Sequence, residues 1–344
     1  MKIIVLAGGL SPERDVSLSS GSLIANALIE NGHDVYVLDL LKGSNDNFED
    51  LNFLNRKGQS RYSYTVPPEE PDLEALRKQY PGQIGWNVLE ICKKADAVFI
   101  ALHGSAGENG QLQSLLELNS VSYTGSHYIG CMLAMDKDLS KKIAQHEGVR
   151  TPDWKIYSLS ETTIEQIEKE TAVPCVVKPL SCGSSVGISI PENKDELIQS
   201  LHLAKKYENN ILIETMIKGR EFSCGVLELR ALPVIEIVPK EGFYDYKNKY
   251  QKGLTNEICP ADIEPGIERI IQEYSVRMHK SLRLGYYSRS DFIVRDDNEV
   301  FYLETNTLPG MTPTSLLPQE AQVYGISYNE LCEQIVNHPI ERGI

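Results

Sequence analysis

This 344-residue chain lacks any apolar run long enough to pass through a membrane. The first candidate, in MKIIVLAGGLSPERD, stops at Gly8-Gly9 and runs into charge, so neither a signal peptide nor a membrane span is expected. Cysteine is sparse: the seven are scattered, odd in number and form no CxxC pair, which excludes a disulfide framework and suits a reduced cytoplasmic compartment. A basic surplus is also missing. With 34 Lys and Arg against 48 Asp and Glu the formal net charge is −14, which argues against a nucleic-acid backbone as partner. A nucleotide ligand stays open, because a few lysines and arginines can still gather at one site. Neither GxGxxG nor GxxxxGK[ST] occurs, so a dinucleotide fingerprint is weak and a P-loop is excluded.

What is present is ordinary for a globular protein: 41% hydrophobic and 24% charged residues. The length is too great for one small core and suits two or three packed subdomains. Ile3 to Ala7 reads as a buried strand, followed by Gly8-Gly9, a helical pattern from about Val16 to Asn31, and a strand from Asp34 to Leu38. Ala97 to Leu102 reads as another strand. This is the opening of a doubly wound parallel α/β unit, whose ligands sit beyond the carboxyl ends of the strands, where Gly8-Gly9 and His103-Gly104 fall. HGSAGENGQ after the last of these strands holds three glycines, which indicates backbone close to a ligand or a very tight loop. His103 alone reads equally as a core histidine. Lys42 to Gly85 is polar and Pro-rich and reads as a surface insertion, with a short helix from Asp72 to Tyr80.

Further on, Lys137 starts a helix that runs to His146, and Lys178 ends an apolar strand before LSCGSSVG. A lysine at a strand end before a small, Gly/Ser-rich loop is what a phosphate cradle requires, with N–H groups wrapping the oxygens and the ammonium neutralising them. Ile211 to Ile217 reads as a strand with a linking segment able to hold a flat base. In RSDFIVRDDNEVFYLETNTLPGMTPTSL, two apolar runs flank a turn, the pattern of a β-hairpin. Pairing the strands brings Asp291, Glu304 and Asn306 near one sheet end. Those are oxygen ligands with no thiolate or imidazole, a donor set suited to Mg²⁺ shared with substrate phosphates. A plain hairpin with polar ends is the alternative; Pro309-Gly310-Met311, a tight turn directly after the acids, favours the metal.

HGSAGENGQLQS, KPLSCGSSVGIS, FYDYKNKY with the later CPA, and LETNTLPGMT, in that order, are where the chain resembles the ATP-grasp ligases and, among them, the D-alanine–D-alanine ligase family. The resemblance runs from Gly8 to about Ala321. It implies an ATP-grasp fold: an N-terminal doubly wound parallel α/β domain (1–133) and two α+β subdomains (134–215 and 216–344) sandwiching ATP. It implies ATP and two Mg²⁺ ions (or Mn²⁺), D-alanine as substrate, a homodimer, and no nucleic-acid or membrane partner. Lys137, Lys178 and Ser185 would bind the phosphates, Glu214 and Ile217 flank adenine, and Glu221 take the ribose. Lys249, on a mobile loop from Phe243 to Tyr250, would reach the terminal phosphate, and Asp291, Glu304 and Asn306 would hold the metal. Glu13 would anchor the amino group of the first D-alanine and form a closing triad with Ser184 and Tyr250. Arg289 and the Gly310 N–H would stabilise an oxyanion. Ser315 and Leu316 would take the second carboxylate, with His103 nearby.

Three positions depart from the family's pattern: Ser290 stands where an aliphatic residue is usual, Thr305 where alanine is, and Thr215 where a lysine is common, which puts one adenine contact in doubt. Relatives making D-alanyl–D-lactate change the position of Tyr250, and those making D-alanyl–D-serine tend to place an arginine near Leu316. Keeping Tyr250 and Leu316 favours D-alanine in both places. A ligase for D-serine or another amine is the alternative. A non-catalytic nucleotide-binding protein on this fold would tend to lose Arg289, Asn306 or Lys178, and none is lost.

Overall fold

The computed structural model describes residues 1–55, 61–67, 69, 71–183, 186–240 and 255–340. Ser184, Ser185, Lys249 and Tyr250, expected in the site, lie outside the described residues.

Three sheets organise the chain. The first is parallel, in the order β2 (Asp34–Asp39), β1 (Lys2–Ala7), β3 (Ala97–Ile100). All of Ile3 to Ala7 is fully buried, as a strand covered on both faces must be. The helix Arg14–Glu30 packs Ile24, Ala25, Leu28 and Ile29 into the same core. Because β1 lies between β2 and β3, the chain leaves it in opposite directions, and the crevice past the carboxyl ends of β1 and β3 is the switch point where such folds take ligands.

The second sheet is antiparallel: β4 (Trp154–Ser158), β6 (Asn210–Thr215), β5 (Cys175–Pro179). It is backed by the helices Ile164–Glu170 and Lys194–Lys205, whose Ile167, Leu197 and Leu201 are fully buried. Helix Ile164–Glu170 starts with a capping box, Thr163 and Gln166 satisfying each other's N–H groups.

The third sheet runs β10 (Thr255–Ile258), β9 (Ile235–Pro239), β7 (Arg220–Leu227), β11 (Tyr287–Val294), β12 (Val300–Asn306), with the short β8 (Arg230–Ala231) also pairing β7. The expected hairpin is β11–β12, antiparallel, with Asp291 opposite Glu304 and Arg289 opposite Asn306; a register shift between Asp291 and Phe292 bends it. Glu221, expected at the ribose, lies in strand β7 opposite Ile293.

Two groupings differ from what local patterns suggest. Helices Tyr128–Met135 and Lys137–His146 contribute Ala134 and Ala144 to the core of the third sheet rather than to that of the second, where the 134–215 division would put the latter helix. Helices Leu316–Tyr324 and Tyr328–Asn337 contribute Leu317, Ala321, Leu331 and Ile335 to the N-terminal core. The 42–85 insertion is more than surface decoration: Phe48 and Leu51 are buried, the Tyr62 hydroxyl donates to Val35 O (3.2 Å), and Tyr64 bonds Asp15 on the first long helix.

Among the described residues, no helix is long and apolar enough to cross a membrane.

Candidate active site

The loop after β1 is built to hold a carboxylate over the crevice. Gly8 donates to Ser17 Oγ (2.8 Å), Ser17 donates to Ala101 O beyond β3 (2.7 Å), and Arg14 bonds Gly9 O and the Asp39 carboxylate. These contacts stitch the ends of β1, β2 and β3 together and leave Glu13 buried at the helix start. Ser11 Oγ donates to His103 O (3.0 Å) and accepts from Glu13 N (3.0 Å), so the β1 and β3 loops are locked to each other. Gly104 has φ +84°, and a Cβ there would press on the Glu13 carboxylate and Ser11, which accounts for a glycine beside His103.

A cavity of about 500 Å³ opens there, lined among others by Glu13, His103, Arg289, Asn306, Gly310, Ser315 and Leu316. Seven residues scattered over 304 positions of sequence are thus brought to one surface, and all seven were expected in the site. Burial lowers the His103 pKa, and the Glu13 charge only partly offsets this, so the ring is neutral near pH 7. Burial, reinforced by Glu13, pushes the Glu108 carboxyl up to about 8, while it accepts from Gly104 N (2.9 Å). Glu108 also lines the cavity and carried no role in the sequence reading; the HGSAGENG run was its only signal. Val66 of the insertion lines the cavity as well. A polar stretch of low periodicity carries no signal for that.

At the inner end, Arg289 makes a two-point bond to Asp291 (3.0 and 2.9 Å), and Ser223 and Asn306 donate to the same carboxylate (2.6 and 2.9 Å). Glu304 stands opposite Asp291 with Lys137 Nζ 3.8 Å away. The departures Ser290 and Thr305 bond each other (2.8 Å) on the buried face, and Thr305 also meets the Tyr302 hydroxyl (2.9 Å), so the two polar substitutions satisfy one another. Asp291, Glu304 and Asn306 do share one end of the hairpin. Among the described residues no three His, Cys, Asp or Glu side chains cluster as a metal cage. Two carboxylates and one amide, all hard oxygen donors, fit a Mg²⁺ ion that takes its remaining oxygens from phosphate and water.

The lysines form a second group. Lys137 Nζ donates to Cys182 O (2.5 Å), fastening the helix start to the Gly/Ser-rich loop after β5. Lys178, in β5, lies 2.5 Å from one Glu214 oxygen, and Lys141 lies 2.8 Å from the other. Glu214 therefore uses its carboxylate on two ammonium groups, which leaves its backbone, next to Thr215, for the adenine-flanking place expected of it. Burial alone would raise the Glu214 pKa, but Lys178 and Lys141 outweigh it and hold the carboxyl below its usual range. Lys141, fully buried and also bonded to Thr151 Oγ1 (2.7 Å), is brought down to about 8, chiefly by burial. The sequence reading passed over Lys141, one lysine in a helix rich in them. Thr215 and the half-buried Ile217 follow on the exposed end of β6.

Comparison with known proteins meets this arrangement at its full length. The family model for the D-ala D-ala ligase N-terminus matches residues 2–126, and that for the D-ala D-ala ligase C-terminus matches 137–337. The D-alanine–D-alanine ligase of Pediococcus pentosaceus is 43% identical, over 98% of this chain and 97% of that one. That of Desulfotalea psychrophila is 42% identical, over 100% and 96%. Among solved structures, the D-alanine–D-alanine ligase from Bacillus anthracis complexed with ATP superposes with a TM-score of 0.73 at 28% identity, covering 98% of this chain and 96% of that one. The VanG D-Ala:D-Ser ligase from Enterococcus faecalis gives 0.75 at 27%, covering 98% of each. The parallel N-terminal sheet and the two antiparallel sheets are those of the ATP-grasp fold, and the chain belongs to the D-alanine–D-alanine ligase family.

Proposed function

We propose that this chain joins two D-alanines to D-alanyl-D-alanine at the expense of ATP, releasing ADP and phosphate, as a cytoplasmic step in making peptidoglycan precursors. The observation that carries the reading is the single cavity in which Glu13, Arg289, Gly310, Ser315 and Leu316 meet, next to the Asp291–Glu304 end of the hairpin. An amino acid needs a carboxylate for its ammonium and donors for its own carboxylate, and the cavity has both.

The first D-alanine is held by Glu13, and its carboxylate attacks the terminal phosphate of ATP; ADP leaves and an acyl phosphate forms. Lys137 and Lys178 hold the phosphates, Glu214 keeps Lys178 in place, and the backbone around Ile217 takes the adenine with Glu221 on the ribose. Asp291, Glu304 and Asn306 would hold Mg²⁺, which when bound supplies positive charge to the phosphate oxygens. Ser184, Ser185, Lys249 and Tyr250 belong to the same reading as loop contacts. The second amine, once uncharged, attacks the acyl carbon while Arg289 and the Gly310 N–H receive the charge on oxygen, and phosphate departs to leave the amide. Ser315 and Leu316 take the second carboxylate, with neutral His103 alongside. A homodimer completes the reading; exposed Tyr128, Ile129 and Met132 on one helix are apolar surface that such pairing would cover.

Phosphate release from ATP, measured against a panel of D- and L-amino acids with the product weighed by mass spectrometry, tests this. D-alanine alone should support turnover and yield the dipeptide. Turnover only with a second amine such as D-serine would move the chain to another specificity within the family, and none with any amino acid would remove the ligase reading.

A further inference from the structure

Glu320 sits in the second turn of helix Leu316–Tyr324 with no exposed surface. A fully buried glutamate on a helix otherwise turned inward through Leu317 and Ala321 is costly unless it is bonded to something. One of its oxygens accepts from Gly225 N (2.8 Å), and the other has no hydrogen-bond partner among the described residues. Burial raises its pKa well above the carboxylate's usual value although Arg289 opposes this, which favours the neutral acid.

The place of Gly225 explains what the bond is for. Strand β7 changes partner on one edge, pairing β9 through Glu221 to Ser223 and β8 through Val226 and Leu227. Gly225 lies in the gap. Its carbonyl points to that edge and accepts from Leu232 N (2.8 Å), and in a strand the N–H of the same residue points the same way. Among the described residues no strand receives that N–H, and Glu320 does. A Cβ at 225 would collide with the Glu320 carboxyl and with Leu317, so glycine is needed for the helix to come this close. On the other edge, Gly225 is the register partner of Arg289.

We propose that Glu320 is a positioning residue for the second-substrate carboxylate. By closing on Gly225 it sets the depth of helix Leu316–Tyr324, and so the separation between Ser315 and Leu316 at its start and Arg289 on the adjacent strand. The bond is a spacer between the two anion-binding walls of the cavity, and it touches neither nucleotide nor metal donors. This rests on the ligase reading above.

The test is steady-state phosphate release by wild type, E320Q and E320M at fixed saturating ATP and then at fixed saturating D-alanine. A neutral acid and an amide share shape and acceptor, so E320Q should stay within about twofold of wild type on every constant. E320M keeps the volume but leaves the Gly225 N–H without a partner, and should raise KM for the amine-donating D-alanine about tenfold with KM for ATP within twofold. Should E320M not fold, G225A presses on the same contact from the strand side and should give the same split. Unchanged constants, or equal rises for ATP and D-alanine, would overturn the assignment. If wild type ligates no amino acid the ligase reading falls and this inference with it; wild-type ligation with unchanged E320M kinetics defeats the inference alone.

Discussion

At the residue scale, the site works by pairing each buried charge. Glu304 faces Asp291 across the hairpin with Lys137 3.8 Å away, the one acid of the pair without a bonded arginine. Glu304→Gln keeps shape and halves the donor charge, so turnover should drop at least about a hundredfold while the melting temperature holds; near-normal phosphate release from a folded variant would remove Glu304 from the site. His279 gives a stability prediction independent of catalysis. It is fully buried, its Nδ1 lies 2.7 Å from Ser288 Oγ, and burial lowers its pKa to about 4. The unfolded chain, with an ordinary histidine near 6.5, binds more protons between those values. The contribution of neutral His279 is thus complete above pH 6.5 and lost as pH falls toward 4. Roughly 2 kcal/mol should disappear between pH 7 and 4.5, seen by urea unfolding, and His279→Gln should flatten that part of the profile.

At the element scale, the insertion forms a wall of the cavity. Tyr62 bonds the side chain of Asn26 and β2, Tyr64 bonds Asp15, and Val66 reaches the cavity beside Val16 and Leu23. Enlarging Val66 to Trp should narrow the mouth and raise KM for D-alanine several-fold with KM for ATP unchanged. A Trp variant with unchanged D-alanine kinetics would mean the segment stands clear of the substrate path. The elements themselves were largely legible from periodicity: the first long helix begins at Arg14 against an expected Val16, and the hairpin strands meet with the acids at one end as read. The strand that holds Glu221 was not legible locally, because an isolated acidic residue carries no period of its own and the strand is defined by partners on β9 and β11.

At the scale of the whole molecule, nucleotide and metal should act together on stability. Any ligand that binds only the folded state stabilises it by mass action, about 2.7 kcal/mol at a hundredfold excess over Kd. ATP with Mg²⁺ should therefore raise the melting temperature, and a chelator should cancel most of that gain, because Asp291 and Glu304 repel bare phosphates. An equal shift with and without the chelator would separate nucleotide binding from the hairpin acids. The arrangement that makes this coupling possible is global: the helices at 316–337 join the N-terminal core, so the hairpin end and the Glu13 loop belong to walls of one cavity.

The amino-acid order by itself determined a phosphate cradle and a hairpin of metal donors, since Lys178 before a Gly/Ser-rich loop and Asp291, Glu304 and Asn306 on a hairpin are local patterns, each legible within about thirty residues, and the reaction class followed from the four blocks that resemble the ligase family. Only the tertiary structure decided what those groups do to one another. Glu214 proved to be committed to Lys178 and Lys141, and Glu320 to Gly225, ninety-five positions away. Burial and pairing are set by chain segments distant in sequence, and a side chain's period along its own helix or strand holds no record of which distant group will lie against it.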